Sequence, residues 1–143
     1  MGKFVELKTN LDFEAMKRTA LDRLERETER AVSDETTVLD MRTRRGLDVD
    51  GKPFAAYSPA YAEYKVELGR NRTPDLTLTG LMLAAIRHRV VRRASDLLGE
   101  VYFNSTEAAQ KARFNQATRR FFGFSKEQVG RIVERLQKVI NGN

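Results

Sequence analysis

Apolar residues recur at three- and four-residue spacing near both ends of this chain, and at two-residue spacing in a short stretch between them. From Phe13 the apolar positions are Phe13, Met16, Ala20, Leu24, Ala31 and Val32, with Leu21 beside them. That period is the signature of an amphipathic helix. Asn10 or Asp12 can cap it, because a short polar side chain accepts from the orphan amides of a first turn. No Gly or Pro occurs between Gly2 and Gly46, so the helix is expected to run to about Arg42. Ahead of it, residues 3–8 alternate weakly and suit a short strand. Residues 46–54 carry an Asp50-Gly51 turn signal and read as a loop or short hairpin. Ser58-Pro59 then opens a helix, with the serine as cap and the proline at the first position, and Gly69 closes it. Residues 69–75 form a polar loop, and Thr79 can cap a short helix through Leu81, Met82, Ala85 and Ile86.

The period changes at residues 86–93, Ile-Arg-His-Arg-Val-Val-Arg-Arg, which suit a strand. Ala94-Ser95-Asp96 suits a turn, and residues 97–104 suit the antiparallel partner. Alternation puts Arg87, Arg89, Val91 and Arg93 on one face. Ser105 or Thr106 caps a helical stretch through Ala109, Ala112 and Phe114, and residues 119–124 interrupt it with an extended piece. Ser125 with Gln128 three residues on is a capping box for a last helix. The apolar stripe of that helix is Val129, Ile132, Val133, Leu136 and Ile140. The fold class is therefore α+β, with a long N-terminal helix and a C-terminal helix packed on a small antiparallel sheet with a central β-hairpin.

Length and composition narrow the chemistry. A chain of 143 residues suits one domain spanning 1–143. It has no cysteine and a single histidine, His88. Disulfides, thiolate metal sites, cysteine nucleophiles and histidine-rich metal sites are excluded together. The longest apolar run, Leu81 to Ile86, is far short of a membrane span, and residues 2–15 are too charged for a signal peptide. The expectation is a soluble, cytosolically made protein with no membrane partner and no cofactor. Net charge is +6, unevenly divided: residues 1–41 hold seven basic and ten acidic residues, and 42–143 hold nineteen and ten. A basic balance rich in arginine serves either subunit contacts or nucleic acid.

Phosphate loops, nucleophile elbows and paired metal-ligand motifs are missing from the sequence. His88 sits between arginines and reads as a sheet residue, not a general base. Tyr57, Tyr61 and Tyr64 cluster within two turns of Ser58; they read as aromatic packing, with a tyrosine nucleophile as the sharper alternative. Arg87, Arg89, Arg92 and Arg93 are either a charge-protected edge strand or a phosphate-contacting surface. Arg119 and Arg120 beside Phe121, Phe122 and Phe124 either flank core phenylalanines or form a stacking platform.

Three segments, taken in order, resemble the phage virion morphogenesis family, the tail completion proteins of Mu-like and P2-like phages. The first contains Phe54, Tyr57, Ser58, Pro59, Lys65 and Gly69. The second is Asp75 to Met82, containing Leu78, Thr79, Gly80 and Leu81. The third contains Arg120, Phe121, Phe122, Gly123 and Ser125, followed by the last amphipathic helix. One stretch departs from the family pattern: Asn115 stands where a histidine is common, and the glycine that usually follows is missing.

The resemblance implies a structural, non-enzymatic protein at the head-proximal end of the tail, in tail completion or head–tail joining. It implies a homo-oligomeric ring around the DNA channel, located in the tail or neck of a virion and assembled in the host cytoplasm. The implied partners are copies of itself, neighbouring tail-tube, terminator or head-connector proteins, and transiently the packaged DNA. In that setting Arg87, Arg89, Arg92, Arg93, Arg119 and Arg120 are candidates for the channel lining or for subunit contacts, with salt bridges to a neighbour's acidic helix preferred. A nucleic-acid-binding protein using the arginine strand is the alternative.

Overall fold

The computed structural model describes residues 3–10, 18–72, 74–76, 80–93 and 96–142, with backbone alone for residues 3–5 and 7–10. In chain order the elements are β1 (Lys3–Asn10), α1 (Arg18–Arg44), α2 (Pro59–Glu67), α3 (Leu81–Ala84), β2 (Ile86–Arg92), β3 (Asp96–Phe103), α4 (Thr106–Gln116) and α5 (Lys126–Ile140). The class is α+β, as the periodicity predicts. The three strands form one antiparallel sheet in the order β1-β3-β2, with Val5 opposite Val101 and Arg89 opposite Glu100. The hairpin expected at 86–104 is present, and its second strand is the centre of the sheet.

The long helix forms because nothing in it breaks one, and it buries Leu21, Leu24, Thr28, Ala31, Val32, Glu35, Leu39 and Thr43 along one stripe. Its buried threonines are satisfied locally: Thr28 donates to the Leu24 carbonyl at 2.7 Å and Thr43 to that of Leu39 at 2.8 Å. It runs two residues past the expected end and stops before Gly46, whose φ of 79° reverses the chain. Of the expected caps, Asn10 is the last residue of β1 and Asp12 lies outside the described residues.

Two apolar clusters flank α1. One gathers Val32, Leu39, Phe54, Met82, Leu83, Val101, Phe103, Phe121 and Phe122; the other gathers Leu24, Ala31, Leu97, Ile132 and Leu136. Phe124 touches both. The phenylalanines of residues 121–124 thus fill the core, while Arg120 stays outside.

Helix α5 runs antiparallel to α1, because successive contacts step oppositely: Arg42 meets Gln128, Glu35 meets Arg131, and Glu27 meets Arg135. The Ser125–Gln128 capping box is present, and Gln128 Nε2 also donates to the Glu35 carbonyl at 3.0 Å. Only part of the predicted α5 stripe is covered. Ile132 and Leu136 are buried, whereas Val133 and Ile140 are exposed, because α1 is a single helix and shields a narrower arc than the stripe offers.

Around the short helix α3 the expectation is corrected. Thr79 lies outside the described residues, and the N-cap position belongs to Gly80, at φ 79° with no side-chain cap. Ile86 is the first residue of β2 and not part of the helix. The Asp50-Gly51 signal does mark a turn: Gly51 has φ 79°, and Leu47 bridges to Pro53.

Candidate functional site

Ser58 caps α2 by accepting from the Tyr61 amide at 3.3 Å, and Pro59 occupies the first turn. The helix ends in a Schellman pattern: Arg70 N donates to the Lys65 carbonyl at 2.8 Å and Gly69 N to that of Val66 at 2.9 Å. This places Tyr57 just ahead of the helix and Lys65 on its buried side. The Lys65 Nζ lies 2.8 Å from Asp75 Oδ1 and 4.8 Å from the Tyr57 ring centroid. The Arg119 guanidinium sits 4.7 Å from that same ring and donates to the carbonyls of Ala55 at 3.0 Å and Ala56 at 3.2 Å. The Leu76 amide donates to the Tyr57 hydroxyl at 3.4 Å. One tyrosine therefore touches residues of the first two segments that carry the family resemblance, and Arg119, the residue before the third.

Beside this cluster lies an open groove of about 560 Å³. Tyr57, Tyr61 and Phe114 form its aromatic walls, with buried Leu76 and Met82 at its base and Lys111 and Arg119 as its charges. A second hollow of about 300 Å³ adjoins it, sharing Met82 and Lys111 and adding Leu81. Leu76 holds φ 58°, the left-handed region that a leucine rarely adopts. The aromatic-packing reading of Tyr57 and Tyr61 fits their edge-to-face contact, 4.8 Å between centroids at 78°. Among the described residues no three His, Asp or Glu side chains stand close enough to hold a metal ion.

The groove was not foreseen from the sequence. Its strongest signal was nonetheless there: Ala108 and Ala112 are four apart, and Phe114 falls off their stripe. It is 82% exposed for that reason. The positive φ at Leu76 left no sequence signal.

The arginine strand faces outward as alternation predicts, with Arg87, Arg89, Val91 and Arg93 exposed. Most of its charge is engaged inside the chain. Arg89 bonds to buried Glu100 on β3 and stacks at 4.8 Å over Tyr102. The hydrogen bond to Glu100 holds the Arg89 pKa above its ordinary value. Arg92 reaches Asp22 at 2.9 Å and also Glu25, both on α1 of the same chain. Arg87 donates to the carbonyls of Ala84 at 2.7 Å and Ile86 at 2.8 Å. Arg93 has no ion pair among the described residues. Arg120 stands 3.8 Å from Asp50, both exposed.

Three further acids of α1 follow the same rule. Glu35 accepts from Nε and Nη2 of Arg131, at 2.9 and 2.6 Å, and Arg135 bridges Glu27 and Asp34 at 2.7 Å each. Much of the acidic charge of α1 is thus met by arginines of its own chain. In comparisons with known proteins, no family model, no curated protein and no solved structure matches this chain.

Proposed function

We propose that this chain is a non-enzymatic structural protein of a phage virion, of the tail completion kind, acting as a homo-oligomer at the head-proximal end of the tail. The observation that carries the reading is the meeting of the three family-like segments: the first two meet at Tyr57, and all three meet in the core, where Leu76 and Met82 join the phenylalanines. Lys65 lies 4.8 Å from the Tyr57 ring, the Leu76 amide bonds to its hydroxyl, and Arg119, next to the third segment, lies 4.7 Å from the same ring. Segments scattered over more than sixty residues form one packed unit, as expected if they are the marks of a single architecture. Phe54, Phe121 and Phe122 add to it from the core, and Gly69 and Ser125 set helix boundaries beside it.

Most α1 carboxylates are already engaged with arginines of their own chain, so contacts between copies draw on apolar surface. Val38 and Met41 on α1 and Val133 and Ile140 on α5 stay exposed and supply it. A head-to-tail contact of such surfaces closes into a ring by rotation. Light scattering on the purified protein, at low and then moderate salt, tests this. A discrete oligomer that survives added salt supports the reading. A monomer at every concentration that also ignores purified tail-tube and connector proteins would sink it.

The arginine-strand reading retains a specific support in Arg87 and Arg93, which are exposed and meet no carboxylate among the described residues. Duplex DNA affinity that falls steeply with salt, and disappears in Arg87→Ala with Arg93→Ala, would favour it.

A further inference from the structure

We propose that the groove between α2, α3 and α4 docks an acidic, apolar peptide segment of a protein partner. This goes beyond the assembly reading and stands on the groove alone, whether or not the chain forms a ring.

Shape comes first. The two hollows, about 560 and 300 Å³, share Met82 and Lys111 and so adjoin along one face. Their borders are apolar and uncovered. Phe114 is 82% exposed and Leu81 67%. Tyr61 lines the larger hollow, and exposed Tyr64, one turn on along α2, has its ring centroid 6.2 Å from that of Tyr61. Single exposed apolar residues are ordinary, but a continuous set bordering a groove marks an interaction surface. Helix α2 makes the same point: it buries only Ala62 and Lys65 in its own chain.

Charge selects the occupant. Among the described residues the larger hollow is lined by Lys111 and Arg119 and by no carboxylate, and Arg113 stands next to Phe114 on the same helix. The nearest acid, Glu107, reaches Lys111 at 3.2 Å from a largely exposed position in the second hollow. A segment that places large apolar side chains between the aromatic walls and a carboxylate near Lys111 and Arg119 satisfies both features.

A second copy is the poorer occupant. The chain carries +6, and most of its α1 carboxylates are tied to its own arginines. Nucleic acid is poorer too, because a phosphate backbone needs a row of cations along its length, whereas two line the larger hollow, Lys111 and Arg119. The groove is also built in advance. Tyr57 is fixed between two cations, and the Leu76 backbone is held in a left-handed conformation that persists only where its surroundings determine it. Such preorganisation reduces the ordering cost of binding.

The test uses the intact chain and a displayed library of random peptides. Selection is expected to enrich peptides with aromatic or leucine residues at helical spacing beside Asp or Glu. Measured by fluorescence anisotropy, these bind Phe114→Ala and Lys111→Glu about tenfold or more weaker than the parent. Both positions are exposed, so folding is retained and circular dichroism checks it. Gln137→Ala, exposed on α5 and outside both hollows, binds them unchanged. No enrichment, enrichment of basic or uncharged peptides, or equal binding to Phe114→Ala overturns the proposal. So does self-association that Phe114→Ala abolishes, which assigns the groove to a second copy. Displacement of the selected peptides by oligothymidylate overturns it in favour of nucleic acid.

Discussion

Lys65 and Asp75 form an ion pair in which the ammonium is fully buried, 2.8 Å from Asp75 Oδ1, while Asn71 Nδ2 donates to the other carboxylate oxygen at 3.2 Å. The pair ties the end of α2 to the loop that follows and fixes the Tyr57 ring beneath the Lys65 ammonium. Removing one partner leaves a buried charge without compensation, which costs roughly 3–5 kcal/mol. Lys65→Met is expected to lower stability by that order in urea denaturation. Adding Asp75→Asn to it neutralises the stranded charge and recovers part of the loss.

Arg42 anchors the chain between α4 and α5. Its Nη1 donates to Gln128 Oε1 at 2.7 Å, and its Nη2 to the carbonyls of Phe121 at 2.8 Å and Gly123 at 3.0 Å. Burial pushes its pKa below the ordinary value. Arg42→Ala is expected to cost about 1.5–3 kcal/mol for each charged hydrogen bond left unmade, less what water restores. Arg42→Lys should rescue little, because an ammonium on a single stem cannot fork to three acceptors. Chemical denaturation of the two variants side by side checks this.

The Asp22–Arg92 contact predicts a pH effect. The hydrogen bond from Arg92 holds the Asp22 carboxyl below its ordinary 3.8. A depressed folded pKa adds stability that is present above the unfolded value and fades as pH falls through the folded one. In Arg92→Gln the Asp22 carboxyl should titrate closer to 3.8, followed by carboxyl-carbon NMR. The variant should also lose the part of the acid-side stability slope that this pair supplies. A side chain at Asp22 titrating identically in both proteins would show that the contact carries no weight in solution.

Gly80 precedes α3 at φ 79°, and a Cβ placed there meets nothing within 4 Å. Any cost of Gly80→Ala is therefore backbone strain and not collision, about 1–2 kcal/mol. Gly80→Asn should cost less, since asparagine tolerates the left-handed region better. Thermal melts of the two variants would separate strain from contact.

The features read correctly in advance were those in which neighbours along the chain decide the outcome. Ser58-Pro59, Ser105 and the Ser125–Gln128 box begin helices because each side chain meets an amide two or three residues away. Gly51 and Gly69 reverse the chain because glycine alone takes positive φ without strain. The outward arginine face of β2 follows from the two-residue period. Where such reasoning missed, more than one structural choice satisfied the local chemistry, as at Gly80 in place of Thr79.

By itself, then, the sequence determined the element types, their order, the caps at Ser58, Ser105 and Ser125 and the α+β class, because each depends on short-range contacts. Only the tertiary structure decided which apolar stripes are covered, leaving Phe114, Val133 and Ile140 outside while Lys65 goes in. It also decided that Arg92 meets its own α1 and that three distant segments enclose one groove beside Tyr57. Those outcomes depend on which surfaces meet, and an arginine or a phenylalanine carries the same local signal whether its partner lies in its own chain, in another, or in water.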